Sequence, residues 1–174
     1  MSVHLQKIRV THTTSTRNNA GTDDRVDLRI FIDPDALTTF ASQGWRDFEL
    51  DSARDDRQRG ATDTYELDLT TGSIGMSWGG TAVPRGIAFP SFASVRSAAL
   101  FLKTSGSDWW QLQSYRIEGL FKEMPYVPGT IDSFSVTDHG WLVMAERNTP
   151  LEMSADSSEG VSWHHVIVDG RLPA

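Results

Sequence analysis

Between Arg25 and Ile32 the chain alternates strictly, and that period of two decides most of what it can fold into. Val26, Leu28, Ile30 and Ile32 fall on one side of an extended backbone, and Asp27, Arg29 and Phe31 fall on the other. Tyr65, Leu67 and Leu69 repeat the pattern against Glu66 and Asp68. Further short segments rich in β-branched and aromatic residues predict strands at His4–Val10, Gly44–Leu50, Val95–Leu102, Gln111–Gly119, Ser133–Val136, Trp141–Glu146 and Ser162–Val168. Clusters of Gly, Asp, Asn, Ser and Pro punctuate them. Only Asp35–Gln43, opened by Asp33-Pro34, is permissive for a short helix. Many short strands separated by turn residues predict an all-β chain, an antiparallel β-sandwich of about eight strands.

With 174 residues, no internal repeat and no low-complexity linker, the chain reads as one domain over 1–174. Two stretches exceed a minimal sandwich. Thr71–Ser94 is a long Gly- and Pro-rich loop carrying Trp78, Phe89 and Phe92, and a C-terminal extension over 154–174 follows an acidic, Ser-rich turn.

Charge and composition narrow the partners. Lys and Arg total 16 against 23 Asp and Glu, a net charge of −7, which disfavours nucleic acid and bare anionic membrane. A bound divalent cation would reverse that locally. The absence of cysteine excludes disulfides and thiolate zinc sites. The N-terminal residues hold no apolar run of signal-peptide type, and no stretch reaches the roughly 20 apolar residues of a membrane span. The expectation is therefore a cytoplasmic location by default, with peripheral membrane association or leaderless export as the other possibilities. The oligomeric state is not written in the sequence.

Three acidic loops stand at predicted strand ends. Asn18-Asn19-Ala20-Gly21-Thr22-Asp23-Asp24 precedes the Arg25–Ile32 strand; Asp51 to Asp56 leads through Gly60 to Asp63-Thr64-Tyr65; Ser105-Gly106-Ser107-Asp108-Trp109-Trp110 is the third. Asp, Asn and Gly are favoured in solvated turns in any case. They also supply the mixture of carboxylates and carbonyls that calcium takes, six to eight oxygens in flexible geometry.

The order of these motifs resembles that of PLAT (lipoxygenase-homology) domains. Asn19-Ala20-Gly21-Thr22-Asp23-Asp24 before a strand is similar to their Ala-Gly-Thr-Asp signature. Asp51 through Gly60 to Asp63-Thr64-Tyr65, and Asp108 followed by Trp110 and a strand, resemble the C-terminal membrane-binding domain of the clostridial alpha-toxin phospholipases C. The resemblance covers roughly 3–153. It implies Ca2+ ligands at Asn19, Gly21 (carbonyl), Asp51, Asp56, Asp108 and Trp109 (carbonyl), with Thr22 and Asp55 as auxiliaries. It also implies attachment to a phospholipid membrane surface or a protein partner, with Trp78, Trp109 and Trp110 as candidate contacts. For the adjacent pair Trp109-Trp110, one indole is expected in the core and one outside. Two departures weaken a metal site: Asn19 stands where the toxin family has an acid, and Arg54 where a Gly is expected.

Catalysis finds little support. His164 and His165 are adjacent, so on a strand they face opposite sides. There is no Gly-x-Ser-x-Gly elbow, no His-Glu-x-x-His and no phosphate-cradling Gly-x-x-x-x-Gly-Lys. The expectation is a non-catalytic, calcium-assisted binding module; the alternative is a calcium-independent structural or adaptor protein that docks another protein.

Overall fold

The computed structural model describes residues 1–31, 45–52, 56–70, 86–124 and 136–174. In chain order the elements are β1 (Ser2–Thr14), β2 (Val26–Phe31), β3 (Trp45–Glu49), β4 (Thr62–Asp68), β5 (Ile87–Phe89), α1 (Phe92–Arg96), β6 (Ala99–Thr104), β7 (Trp110–Met124), β8 (Thr137–Arg147), β9 (Leu151–Met153) and β10 (Trp163–Val166). They form two antiparallel sheets. The larger runs β4-β1-β7-β8, with β5 continuing beside β1 and β9 beside β7; the smaller runs β10-β6-β2-β3. The expected all-β antiparallel sandwich is what the chain forms.

Alternation explains how the sheets meet. In β2, Val26, Leu28 and Ile30 are at most 1% exposed, and Leu100 and Leu102 of β6 oppose them across the ladder. From the larger sheet, Leu5, Ile8, Val10, Leu112, Ile117 and Phe121 join the same core cluster. β1 changes phase once: a register shift between Leu5 and Lys7 re-aims the strand, so Val3 and Leu5 face the core before it, and Ile8 and Val10 after it. Gly86 lies against this bulge. Its φ is +70°, and a Cβ there would stand 2.1 Å from the Leu5 carbonyl oxygen.

Several sequence expectations shift in detail. Val95 belongs to α1, not to a strand. Ser91 caps that helix by accepting from the Ser94 amide at 3.3 Å, Phe92 and Val95 are buried, and the strand starts only at Ala99. The stretch read as loop through Ser94 holds β5 and α1, with Phe89 and Phe92 in the core. Among the described residues, the strands without a counterpart in the expected segments are the three-residue β5 and β9, too short to announce themselves by alternation. The Asp35–Gln43 helix, Trp78 and most of the Ser133–Val136 segment lie outside the described residues.

The C-terminal segment is built into the sandwich. β10 pairs with β6, Val168 and Leu172 enter the core, and the Gly170 amide donates to the Met144 carbonyl of β8 at 2.8 Å. Arg96 Nη2 then holds the Leu172 and Pro173 carbonyls at 2.6 and 2.8 Å. Among the described residues, no helix is long and apolar enough to cross a membrane.

Candidate binding cleft at the loop end

The β1–β2, β3–β4 and β6–β7 connections leave the sandwich at one end, because β1, β3 and β6 finish there and β2, β4 and β7 start there. Backbone bonds splice them together. The Gln111 amide donates to the Ala20 carbonyl at 3.0 Å and the Gly60 amide to the Ser15 carbonyl at 3.0 Å. Side chains tighten the splice: the Asp108 amide donates to Asp24 Oδ2 at 2.6 Å, and the Asp23 amide to Asp108 Oδ2 at 3.3 Å. Gly106 permits this clasp, since a Cβ at that position would stand 1.8 Å from Asp24 Cγ. Gly21 is also hemmed in, with a Cβ there 2.8 Å from the Arg57 carbonyl oxygen. Asn19 takes a left-handed φ of +59°, a conformation asparagine tolerates better than most side chains.

Between the loops lies an open, mainly polar cleft of about 520 Å³, walled by Asn18–Asp23, Gln58, Arg59 and Asp108. Thus Asn19, Gly21, Thr22 and Asp108 of the expected ligand set share one site. Thr22 is buried, and its Oγ1 accepts from the Asp24 amide at 3.0 Å, so it shapes the turn. Asp51 and Asp56 do not line the cleft. Asp56 is buried, and its oxygens accept from the Ser52 amide and hydroxyl at 2.6 and 2.5 Å. Asp51 is exposed and also accepts from the Ser52 amide. Asp55 lies outside the described residues.

Trp110 is a correction. It is 1% exposed, its Nε1 donates to Thr14 Oγ1 at 3.0 Å, and it packs edge-on to His12. A side chain so enclosed is core and not a membrane or partner contact. Trp109 is the partly exposed member of the pair.

The sequence reading missed Arg59, Gln58 and Asn18. Arg59 Nη1 donates to Asn18 Oδ1 at 2.8 Å, which brings a guanidinium into the cleft opposite Asp23 and Asp108. Its signal was the Arg57-Gln58-Arg59-Gly60 run, which places a cation just ahead of β4. The C-terminal extension adds a further acidic turn to this end. The Ala155 amide donates to the Gly106 carbonyl at 2.8 Å, and Asp156 caps Ser158, whose amide and hydroxyl hold the Asp156 carboxyl below its usual range.

Among the described residues no three His, Asp or Glu side chains gather where a metal could sit. Asp56 has both oxygens engaged elsewhere, and the cleft carries its own cation. The donor chemistry is that of a polar binding pocket of mixed charge.

The histidines are similarly committed. Ser2 Oγ lies 2.8 Å from His4 Nε2, yet both residues are buried and Ser2 Oγ donates to the Met124 carbonyl at 3.1 Å. The serine proton is therefore spent, and the histidine donates to the serine. His164 meets the Tyr115 hydroxyl at 3.0 Å, and His139 meets Glu123 at 3.2 Å.

The described residues form two antiparallel sheets whose connections are spliced at one end, a β-sandwich. Among solved structures the chain is similar to the alpha toxin from Clostridium absonum, with a TM-score of 0.51 and 17% identity over 93% of this chain and 31% of that one. It is also similar to the Clostridium perfringens alpha-toxin from avian strain SWCP (TM-score 0.42, 16% identity, 88% of this chain and 32% of that one). A third is an engineered LOX (TM-score 0.38, 14% identity, 85% of this chain and 16% of that one). At such identities the first likeness is one of fold, and the chain spans about a third of that toxin's length, 31%. No family model matches the sequence, and no curated protein matches it.

Proposed function

We propose that this chain is a non-catalytic binding module that attaches to a phospholipid surface through its loop end, contacting headgroup phosphate directly. The observation that carries the reading is Arg59. It lines an open polar cleft, and among the described residues no carboxylate pairs with it, so its remaining N–H groups are available to an anionic oxygen. Trp109, partly exposed beside Asp108, supplies an indole at the same end. Calcium-assisted attachment, the form implied by the resemblance, would have to draw on Asp23 and Asp108 with Asn19 and the Gly21 carbonyl. Arg59 opposes a cation there. Direct attachment is therefore the better-supported form, and the committed histidines and the buried Ser2–His4 pair support the absence of catalysis.

Co-sedimentation with phosphatidylcholine vesicles, with and without phosphatidylserine, tests this in EGTA and in millimolar calcium. The expected result is binding in EGTA that Arg59→Gln weakens several-fold while the unfolding temperature is kept. Binding that needs calcium and ignores Arg59→Gln overturns direct attachment in favour of an ion bridge. No binding under any condition overturns the lipid reading and leaves the protein-docking adaptor.

A further inference from the structure

The cleft at the loop end carries charges of both signs that do not close on each other. Arg59 is exposed, and its Nη1 is tied to Asn18 Oδ1 at 2.8 Å. Asp23 and Asp108 line the same cleft of about 520 Å³, and among the described residues neither forms an ion pair with Arg59. Each side is anchored separately. Asp108 Oδ2 accepts from the Asp23 amide at 3.3 Å, and the Asp108 amide donates to Asp24 Oδ2 at 2.6 Å. The Asp23 carboxylate and Asp108 Oδ1 accept no hydrogen bond among the described residues. A guanidinium and two carboxylates are thus held apart in one open cleft, with room between them.

Such an arrangement suits a ligand that is itself a dipole. An anion alone gains Arg59 but is repelled by two carboxylates, and a cation alone meets the reverse. A zwitterion whose anionic oxygen reaches Arg59 and whose cationic nitrogen reaches Asp23 and Asp108 satisfies both sides. The walls decide what kind of nitrogen. A quaternary ammonium donates no hydrogen bond and is recognised by aromatic faces, and no aromatic side chain lines the cleft. Its walls offer acceptors in their place, the two carboxylates and the Asn19 side-chain amide. A primary ammonium brings three donors to them. Net charge points the same way: the chain carries −7, so a headgroup without net charge avoids the repulsion that an anionic bilayer presents.

We infer that the cleft selects a phosphoethanolamine group over phosphocholine, with the phosphate on Arg59 and the ammonium between Asp23 and Asp108. This selectivity rests on the lipid reading above and names the headgroup that it left open. Arg59 serves every phospholipid, since all carry the phosphate. Asp23 and Asp108 serve the one whose nitrogen can donate. The two halves of the cleft are therefore separable by substitution. The same chemical group occurs in a bilayer headgroup and in soluble glycerophosphoethanolamine; Trp109, partly exposed beside Asp108, favours the bilayer.

Co-sedimentation in EGTA tests it, with phosphatidylcholine vesicles in which a fixed fraction is left as it is or replaced by phosphatidylethanolamine or its N,N-dimethyl derivative. Binding is expected to weaken as methyl groups replace N–H donors, by about fivefold from the first headgroup to full methylation. The double variant Asp23→Asn, Asp108→Asn keeps an acceptor for the Asp23 amide. It is expected to unfold near the parent's temperature and to bind all three vesicles alike, no more weakly than the parent binds phosphatidylcholine. Should it fail to fold, Asp23→Asn alone, whose carboxylate has no bond to lose, is expected to reduce the preference. Arg59→Gln is expected to weaken all three equally. Equal binding of the three by the parent, with Arg59→Gln still weakening it, overturns the selectivity and leaves the lipid reading standing. A preference that survives in the double variant also overturns it, because bilayer packing would then be its source. No vesicle binding overturns both, and binding of soluble glycerophosphoethanolamine in its place would move the ligand from the bilayer into solution.

Discussion

His12 makes the stability of this sandwich depend on pH in mild acid. The side chain is 2% exposed, stacked on Tyr65 and edge-on to Trp110, and its Nδ1 has no hydrogen-bond partner. Nε2 meets the Tyr65 hydroxyl at 3.3 Å and stands 4.0 Å from Asp63. Burial drives its pKa down from 6.5 to about 4; Asp63 and Asp56 pull it up and Arg57 pushes it down, without reversing the result. The imidazole is therefore neutral in the folded protein through mild acid. Between pH 6.5 and about 4 the unfolded chain takes up a proton that the native state refuses, so stability rises with pH across that interval. At 1.36 kcal/mol per pH unit the full loss on acidification is about 3 kcal/mol, with about 2 kcal/mol already gone at pH 5. Above pH 6.5 neither state is protonated and the effect vanishes.

The assay is urea unfolding at half-unit steps from pH 4 to pH 8 for the parent and His12→Gln, which cannot take up a proton. Glutamine loses ring packing and lowers stability by a constant offset, so the readout is the difference in slope. His164, also lowered by burial, acts in the same window, but it is present in both proteins and cancels. Asp47, held down by Arg29, and Glu66, held down by Lys7, contribute stability above the unfolded carboxylate range that is lost as pH falls through their lowered values, and both are present in parent and variant alike. The expected outcome is a parent curve that falls by about 2 kcal/mol more than the variant's between pH 7 and pH 5. Parallel curves would refute the argument, because His12 would then be solvated well enough to accept a proton while folded.

Other substitutions probe the loop end and the tail. Gly106→Ala drives a methyl into the Asp24 carboxyl and breaks its bond to the Asp108 amide; a loss of about 1–3 kcal/mol is expected, with faster hydrogen exchange at Asp108. Trp110→Ala empties a core position and leaves Thr14 Oγ1 without its donor, costing about 3–5 kcal/mol in chemical denaturation. Arg96→Ala releases the Leu172 and Pro173 carbonyls; limited proteolysis is expected to trim the C-terminus of the variant and spare the parent.

How much of this was legible depended on whether a residue's role was set by its neighbours along the chain or by those across it. The β2 alternation Val26, Leu28, Ile30 was legible because a strand's own period decides which side is buried. Ser91-Phe92 was not seen as a helix start, since a five-residue helix offers a single i, i+3 pair, Phe92 and Val95, which in sequence passes for loop and strand. In the cleft, Gly21, Asn19 and Asp108, singled out by motif, line one wall. Asp56 does not line it: Ser52, four residues back in the same loop, donates to both its oxygens. Arg59 was missed because the Arg57–Gly60 run shows a cation ahead of β4 but not that it meets Asn18 of another loop.

The same distinction explains why the loop end can be shaped by its loops without being soft. Beneath the cleft the connections are anchored by groups that cannot move independently. Trp110 holds Thr14, the Arg57 amide donates to Asp63 at 2.9 Å, and Arg57 Nη1 donates to the Leu50 carbonyl although its own φ is strained at +59°. Strain of this kind persists only where surrounding contacts over-determine the backbone. It fixes where Gln58 and Arg59 emerge, so the cation in the cleft is positioned by buried bonds beneath it and not by the cleft's own carboxylates. A ligand that engages Arg59 therefore meets a largely prearranged surface, and the ordering cost of binding falls mainly on the ligand.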